Sequence, residues 1–132
     1  MRRLASLVFV CASANAQLPP LPETASHIEY PSVPEALAAL RAKPGVEIST
    51  QNGWTIVNEP ARHVLWSFAP SGHPAYPAVV KRAIVEQDGK IAVRMGVKCG
   101  ATKEACDALV REFIGLNEKM RAEFQSRGSG AQ

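Results

Sequence analysis

Cys99 and Cys106 are the residues whose type and spacing point most directly to a chemistry. Cys99 closes an alternating apolar stretch, and Cys106 falls in the first turn of the helix expected next, with Gly100 at the corner. That arrangement can bring two Cα atoms within the roughly 4.4–6.8 Å that a disulfide spans. A bridge across so short a loop contributes about 2.5 kcal/mol through the entropy of the unfolded chain. A redox-active pair more naturally reads Cys-x-x-Cys. The expected role is therefore a structural staple, with buried free thiols and a redox accessory function as the alternatives.

Pro70, Pro74 and Pro77 frame a second segment, Ser71-Gly72-His73-Pro74-Ala75-Tyr76. Proline pre-sets the backbone, so side chains on such a loop lose little entropy on contact with a partner. Ser71, His73 and Tyr76 are candidate recognition residues on this ground. The plainer alternative is a crossover whose prolines stop edge pairing and whose tyrosine covers the core. A catalytic alternative, a small envelope hydrolase or transferase, sets His73 beside Ser67 or Ser71, because a hydroxyl needs an adjacent base to become a nucleophile. The spacing Ser71-Gly72-x-x-x-Tyr76 resembles the Ser-Gly-x-x-Tyr loop of periplasmic lysozyme inhibitors, with one residue more before the tyrosine. The likeness is confined to this loop, and those inhibitors are largely β proteins without a closing helix. It implies inhibition of a cell-wall hydrolase through Ser71, His73 and Tyr76 as one specific function.

Other chemistries find no matching pattern. His27, His63 and His73 are scattered, without His-x-His or His-Glu-x-x-His spacing, so no metal or other cofactor is expected. Asp88 reads as a turn residue and Asp107 as a helix-flank residue pairing with Arg111 at i+4. No Gly-x-Ser-x-Gly elbow or phosphate-cradling glycine loop occurs.

The length of 132 residues excludes a multidomain enzyme, and 46% hydrophobic residues with 20% charged exclude a disordered chain. No apolar run reaches the length of a membrane span. Arg2-Arg3, the apolar residues 4–12 and Ala14-Asn15-Ala16 together read as a secretory signal, residues 1–16, cleaved before Gln17. The expected location is periplasmic or secreted. Cleavage removes Arg2, Arg3 and Cys11, which lowers the formal charge from +3 to +1 and leaves Cys99 and Cys106 as the one pair. A near-neutral chain lacks the clustered cations that nucleic-acid binding requires.

These residues need a scaffold. Residues 17–31 are Pro-rich at their start and read as extended, and a single α+β domain is expected over 32–127, with a loose tail over 128–132. Ser32 and Glu35 form a capping-box pattern for a short helix that Lys43-Pro44-Gly45 stops. Asn52-Gly53 and Asp88-Gly89 are hairpin dipeptides, because both residues of each tolerate positive φ. Strands are expected over 46–51, 54–58, 63–68, 78–86 and 90–99. Thr102 caps a long final helix with a broad apolar face through Leu109, Phe113, Ile114, Leu116, Met120 and Phe124. The predicted fold is an antiparallel meander of about five strands packed as a two-layer sandwich against the long C-terminal helix, with a short N-terminal helix.

Three surface features complete the candidates. Asn117 falls within the apolar face of the last helix and is expected to anchor a strand end or loop backbone, since a buried amide needs partners. Ala108, Gly115 and Ala122 recur every seven residues on the other face, a stripe that would let a second helix, including that of another copy, approach closely. Arg94 and Lys98 share one side of the last hairpin, joined by Lys81 or Arg82 according to the length of the Asp88-Gly89 turn. The expected function is a non-enzymatic binding or interaction module of the cell envelope, its partner another envelope protein or a cell-wall component.

Overall fold

A computed structural model describes residues 27–129. The proposed signal, residues 17–26 of the Pro-rich segment and residues 130–132 of the tail lie outside the described residues. Helix α1, Val33–Ala42, starts where the Ser32 hydroxyl accepts from the Glu35 N–H at 3.3 Å, with Pro34 in its first turn. Five strands follow: β1 Glu47–Gln51, β2 Trp54–Glu59, β3 Val64–Phe68, β4 Ala78–Gln87 and β5 Lys90–Cys99. They pair antiparallel in sequence order. Helix α2, Lys103–Ser129, closes the fold, its first turn capped by the Thr102 hydroxyl, which accepts from the Ala105 N–H at 3.2 Å. The α+β architecture is the one the sequence predicts.

Both two-residue turns adopt left-handed backbone, Asn52 and Gly53 at φ 50° and 83°, Asp88 and Gly89 at φ 53° and 75°. That is the geometry whose twist matches paired strands. The second turn fixes the register left open by the sequence: Gln87 opposes Lys90, Arg82 opposes Met95 and Lys81 opposes Gly96. Lys81 therefore joins Arg94 and Lys98 on one face, and Arg82 points to the other.

The layering differs from the expected two-layer sandwich. Ala36 and Leu40 of α1 pack with Val57, Trp66, Phe68 and Val79 on one face of the sheet. Leu109 and Phe113 of α2 pack with Ala78, Val80, Met95 and Val97 on the opposite face. The sheet lies between the helices and has a core on each side. The physical cause is legible in β4, where Ala78-Val79-Val80 is apolar at successive positions, as a strand buried on both faces must be.

Residues 27–31, the described end of the Pro-rich segment, form neither helix nor strand, and they bring Ile28 into the core and Tyr30 against Trp66, tilted at 5.6 Å between rings. The expectations corrected are those for α2. The apolar face of α2 is narrower than predicted: Leu109 and Phe113 are buried, but Ile114 and Leu116 are 50% and 40% exposed. The helix lies closest to β5 and leaves the β1–β3 half of its sheet face largely uncovered. It also continues to Ser129 through Gly128, because a glycine ends a helix only where the backbone turns left-handed.

Candidate binding cleft

The strand alternation determines which side chains meet α2. On that face Ile56 opposes Ser67, Ser67 opposes Val80, and Leu65 opposes Arg82. Trp54 completes the row near the β1–β2 turn, with its ring 5.7 Å from Phe113 of α2. A cleft of about 300 Å³ opens between these residues and α2, bounded by Ser67, Arg82, Trp54, Phe113, Leu116 and Glu112.

Arg82 is 7% exposed and its guanidinium lies 5.0 Å over the Phe113 ring. Its Nε has no hydrogen-bond partner, and no carboxylate among the described residues forms an ion pair with it. Burial pushes its pKa down, since removing a cation from water disfavours the charged form. The Ser67 hydroxyl, one strand away and buried more deeply, is also without a partner. Buried polar groups are normally satisfied, so two such groups beside one hollow are an unmet demand for an acceptor.

The opposite face of the same strand shows the contrast. Lys81 is 5% exposed, yet its ammonium meets the Glu29 carboxylate, donates to the His27 carbonyl at 2.8 Å and lies 5.3 Å over Trp66. Beside it, buried Glu59 accepts from Trp66 Nε1 at 2.8 Å, from Lys43 and from Arg62 at 3.3 Å. Arg62 also reaches Glu29 at 3.6 Å, which links the charges into one network. Burial pushes both carboxyls up, but the bonds from Lys81 to Glu29, and from Lys43 and Trp66 to Glu59, outweigh it and leave both below the ordinary carboxylate range.

The Cys99–Cys106 disulfide is present, with the Cα atoms 5.9 Å apart, and it ties the start of α2 to the end of β5. The loop before β4 is framed by bonds from His73 N to Pro70 O at 2.9 Å and from Tyr76 N to His73 O at 3.0 Å. The bond between Tyr76 and Pro77 is cis. Ser71 and Tyr76 are exposed, and His73 is half-buried edge-on to Trp54 at 5.0 Å. His73 Nδ1 accepts from the Ala75 N–H at 3.0 Å, and no hydrogen bond joins His73 to Ser67 or Ser71 among the described residues. No three His, Cys, Asp or Glu side chains cluster as a metal site would require among the described residues.

The remaining candidates are dispersed. Arg94 and Lys98 are half-buried on the α1 side, where Lys81 is already neutralised by Glu29. Asn117 donates through Nδ2 to the Met95 sulfur at 3.4 Å instead of to a backbone group, and its Oδ1 has no partner. Ala108, Gly115 and Ala122 lie on the exposed side of α2, with open space where a Gly115 Cβ would stand. Asp107 pairs with Lys103 at 2.6 Å instead of with Arg111.

Sequence reasoning weighed Arg82 only as a member of an outward basic stripe and Ser67 only as a partner of His73. The signal that could have found the cleft is the Asp88-Gly89 dipeptide. Its preference for a two-residue turn fixes the hairpin register and sends Arg82 inward among Val80 and Ile84. Compared with known proteins, the chain matches no family model, no curated protein and no solved structure.

Proposed function

We propose that this is an exported, non-enzymatic binding module of the cell envelope whose ligand presents an anion to Arg82 and Ser67 in the cleft beneath α2. The observation that carries the reading is the inequality of two adjacent buried cations. Lys81 has a carboxylate, a carbonyl and an aromatic face, whereas Arg82 has the aromatic face alone. A largely buried cation without a carboxylate partner is disfavoured by desolvation, and an anionic ligand offsets that cost on binding. Export is supported by the disulfide, a feature of oxidising compartments, and among the described residues no helix is long and apolar enough to cross a membrane. The test is an NMR titration of the chain with sodium acetate and inorganic phosphate, following the Arg82 Nε–H. A saturable shift of the Arg82 Nε–H, with shifts of the Ser67 and Phe113 backbone amides that are lost in Arg82→Gln, supports the reading, and signals indifferent to both anions overturn it.

A second reading is favoured by the loop. Backbone bonds and Ala75, fully buried beneath it, hold Ser71 and Tyr76 in exposed positions. That geometry suits contact with an envelope partner, a cell-wall hydrolase being the specific case. A Tyr76→Ala variant of unchanged stability that still inhibits or captures such a hydrolase equally well counts against it.

A further inference from the structure

The cleft does not end at Arg82. It runs into a wider groove of about 690 Å³ whose floor is the uncovered half of the sheet and whose far wall is the second half of α2, and the two hollows share Gln51 and Ile56. Ile56, Leu65 and Ile84 line the floor, and Met120 and Phe124 the wall. We propose that cleft and groove are one site for an aliphatic carboxylate, with its head on Arg82 and Ser67 and its tail along Ile56, Leu65 and Ile84 beneath Met120 and Phe124.

This inference rests on the reading of the cleft as an anion site and adds the class of ligand. Three observations select that class. A guanidinium presents a planar fork of donors that matches a carboxylate, and Ser67 adds one hydroxyl donor. Among the described residues Arg82 is the one cation lining the hollow, and exposed Glu112 also borders it, so a monoanion is neutralised there while a dianion meets repulsion. Glu47, Ser49, Asn58 and His63 also line the groove, but Ile56, Leu65 and Ile84 lie on β2, β3 and β4, strands paired on both sides, so a peptide laid along that strip would find few backbone partners for its own amides. An alkyl chain asks for none. Each methylene moved from water onto such a surface tightens binding by up to about fourfold.

The experiment is a titration of the chain, with its disulfide intact, by sodium acetate, hexanoate and decanoate below micelle formation, by inorganic phosphate, and by an N-acetylated tripeptide of leucines. The expected result is decanoate bound at least 100-fold more tightly than acetate, with a loss of at least tenfold in Arg82→Gln. Phe124→Gln, on the far wall, should flatten the chain-length series, and it serves as the measure if Arg82→Gln does not fold. Acetate or phosphate bound at Arg82 as tightly as decanoate overturns the aliphatic class and leaves the anion reading standing. A tripeptide bound more tightly than decanoate also overturns it, in favour of a peptide terminus. Decanoate binding indifferent to both substitutions, or no binding of any probe, overturns the inference, and in the last case the anion reading with it.

Discussion

Trp66 Nε1 donates to Glu59 Oε2 at 2.8 Å between two side chains that are both essentially removed from solvent. The indole supplies a neutral donor, and Lys43 and Arg62 supply charge from the more exposed side. The carboxylate of Glu59 is thus the centre of the α1-side polar network, and Glu29 extends it to Lys81.

Stability should fall in acid because of this network. Both carboxyls are held below their ordinary range, so they contribute stability above the unfolded-state value of about 4.3 and lose it as pH drops toward their folded values. Urea denaturation from pH 7 down to pH 2 should show a declining limb that begins below about pH 5. Glu59→Gln should lose about 1–2 kcal/mol at pH 7, because it weakens the charge-assisted bonds from Lys43 and Arg62 while both cations keep access to water, and it should make that limb shallower.

Replacing Arg82 with methionine should stabilise the free protein. The substitution removes an uncompensated cation and keeps a side chain of similar length against Phe113. A gain of about 1–2 kcal/mol in denaturant unfolding is expected, together with loss of anion binding. A destabilised Arg82→Met would mean that the guanidinium is satisfied in the free protein.

Removing the disulfide through Cys99→Ser with Cys106→Ser should cost about 2–3 kcal/mol. The bridge lies at the first turn of α2, so amide exchange should accelerate most around Leu109 and Phe113 and least in α1. Uniform acceleration across both helices would contradict the assignment of two separate cores.

Gly100 packs against the loop before β4, and a Cβ built there would stand 3.0 Å from the Pro77 ring. The Gly100 N–H also donates to the Pro77 carbonyl at 2.8 Å, so the two segments cannot part without losing that bond. Gly100→Ala should cost about 1–2 kcal/mol, measured as a lower thermal midpoint. An unchanged midpoint would show that the loop shifts freely.

The elements were legible where local chemistry decides them. Ser32, Asn52-Gly53, Asp88-Gly89 and Thr102 each act within a few residues, and the strands and helices they delimit fall where the sequence places them. The disulfide followed from alternation along β5 and the phase of α2. The layering was less legible, because it depends on which face of the sheet each helix covers, and periodicity within one helix does not contain that information. Lys81 and Arg82 show the limit most clearly. They are adjacent cations in one strand, and only the register of the hairpin and the distant Glu29 distinguish a paired residue from an unpaired one.

The hold of Lys81 on Glu29 and the His27 carbonyl fixes this end of the described chain to one side of the sheet. His27, where the described chain begins, meets the sheet on the α1 side, and the cleft opens on the reverse side. Immobilisation through an exposed α1 residue such as Arg41 should therefore leave Arg82 facing away from the support, whereas attachment through α2 should bring the support beside it.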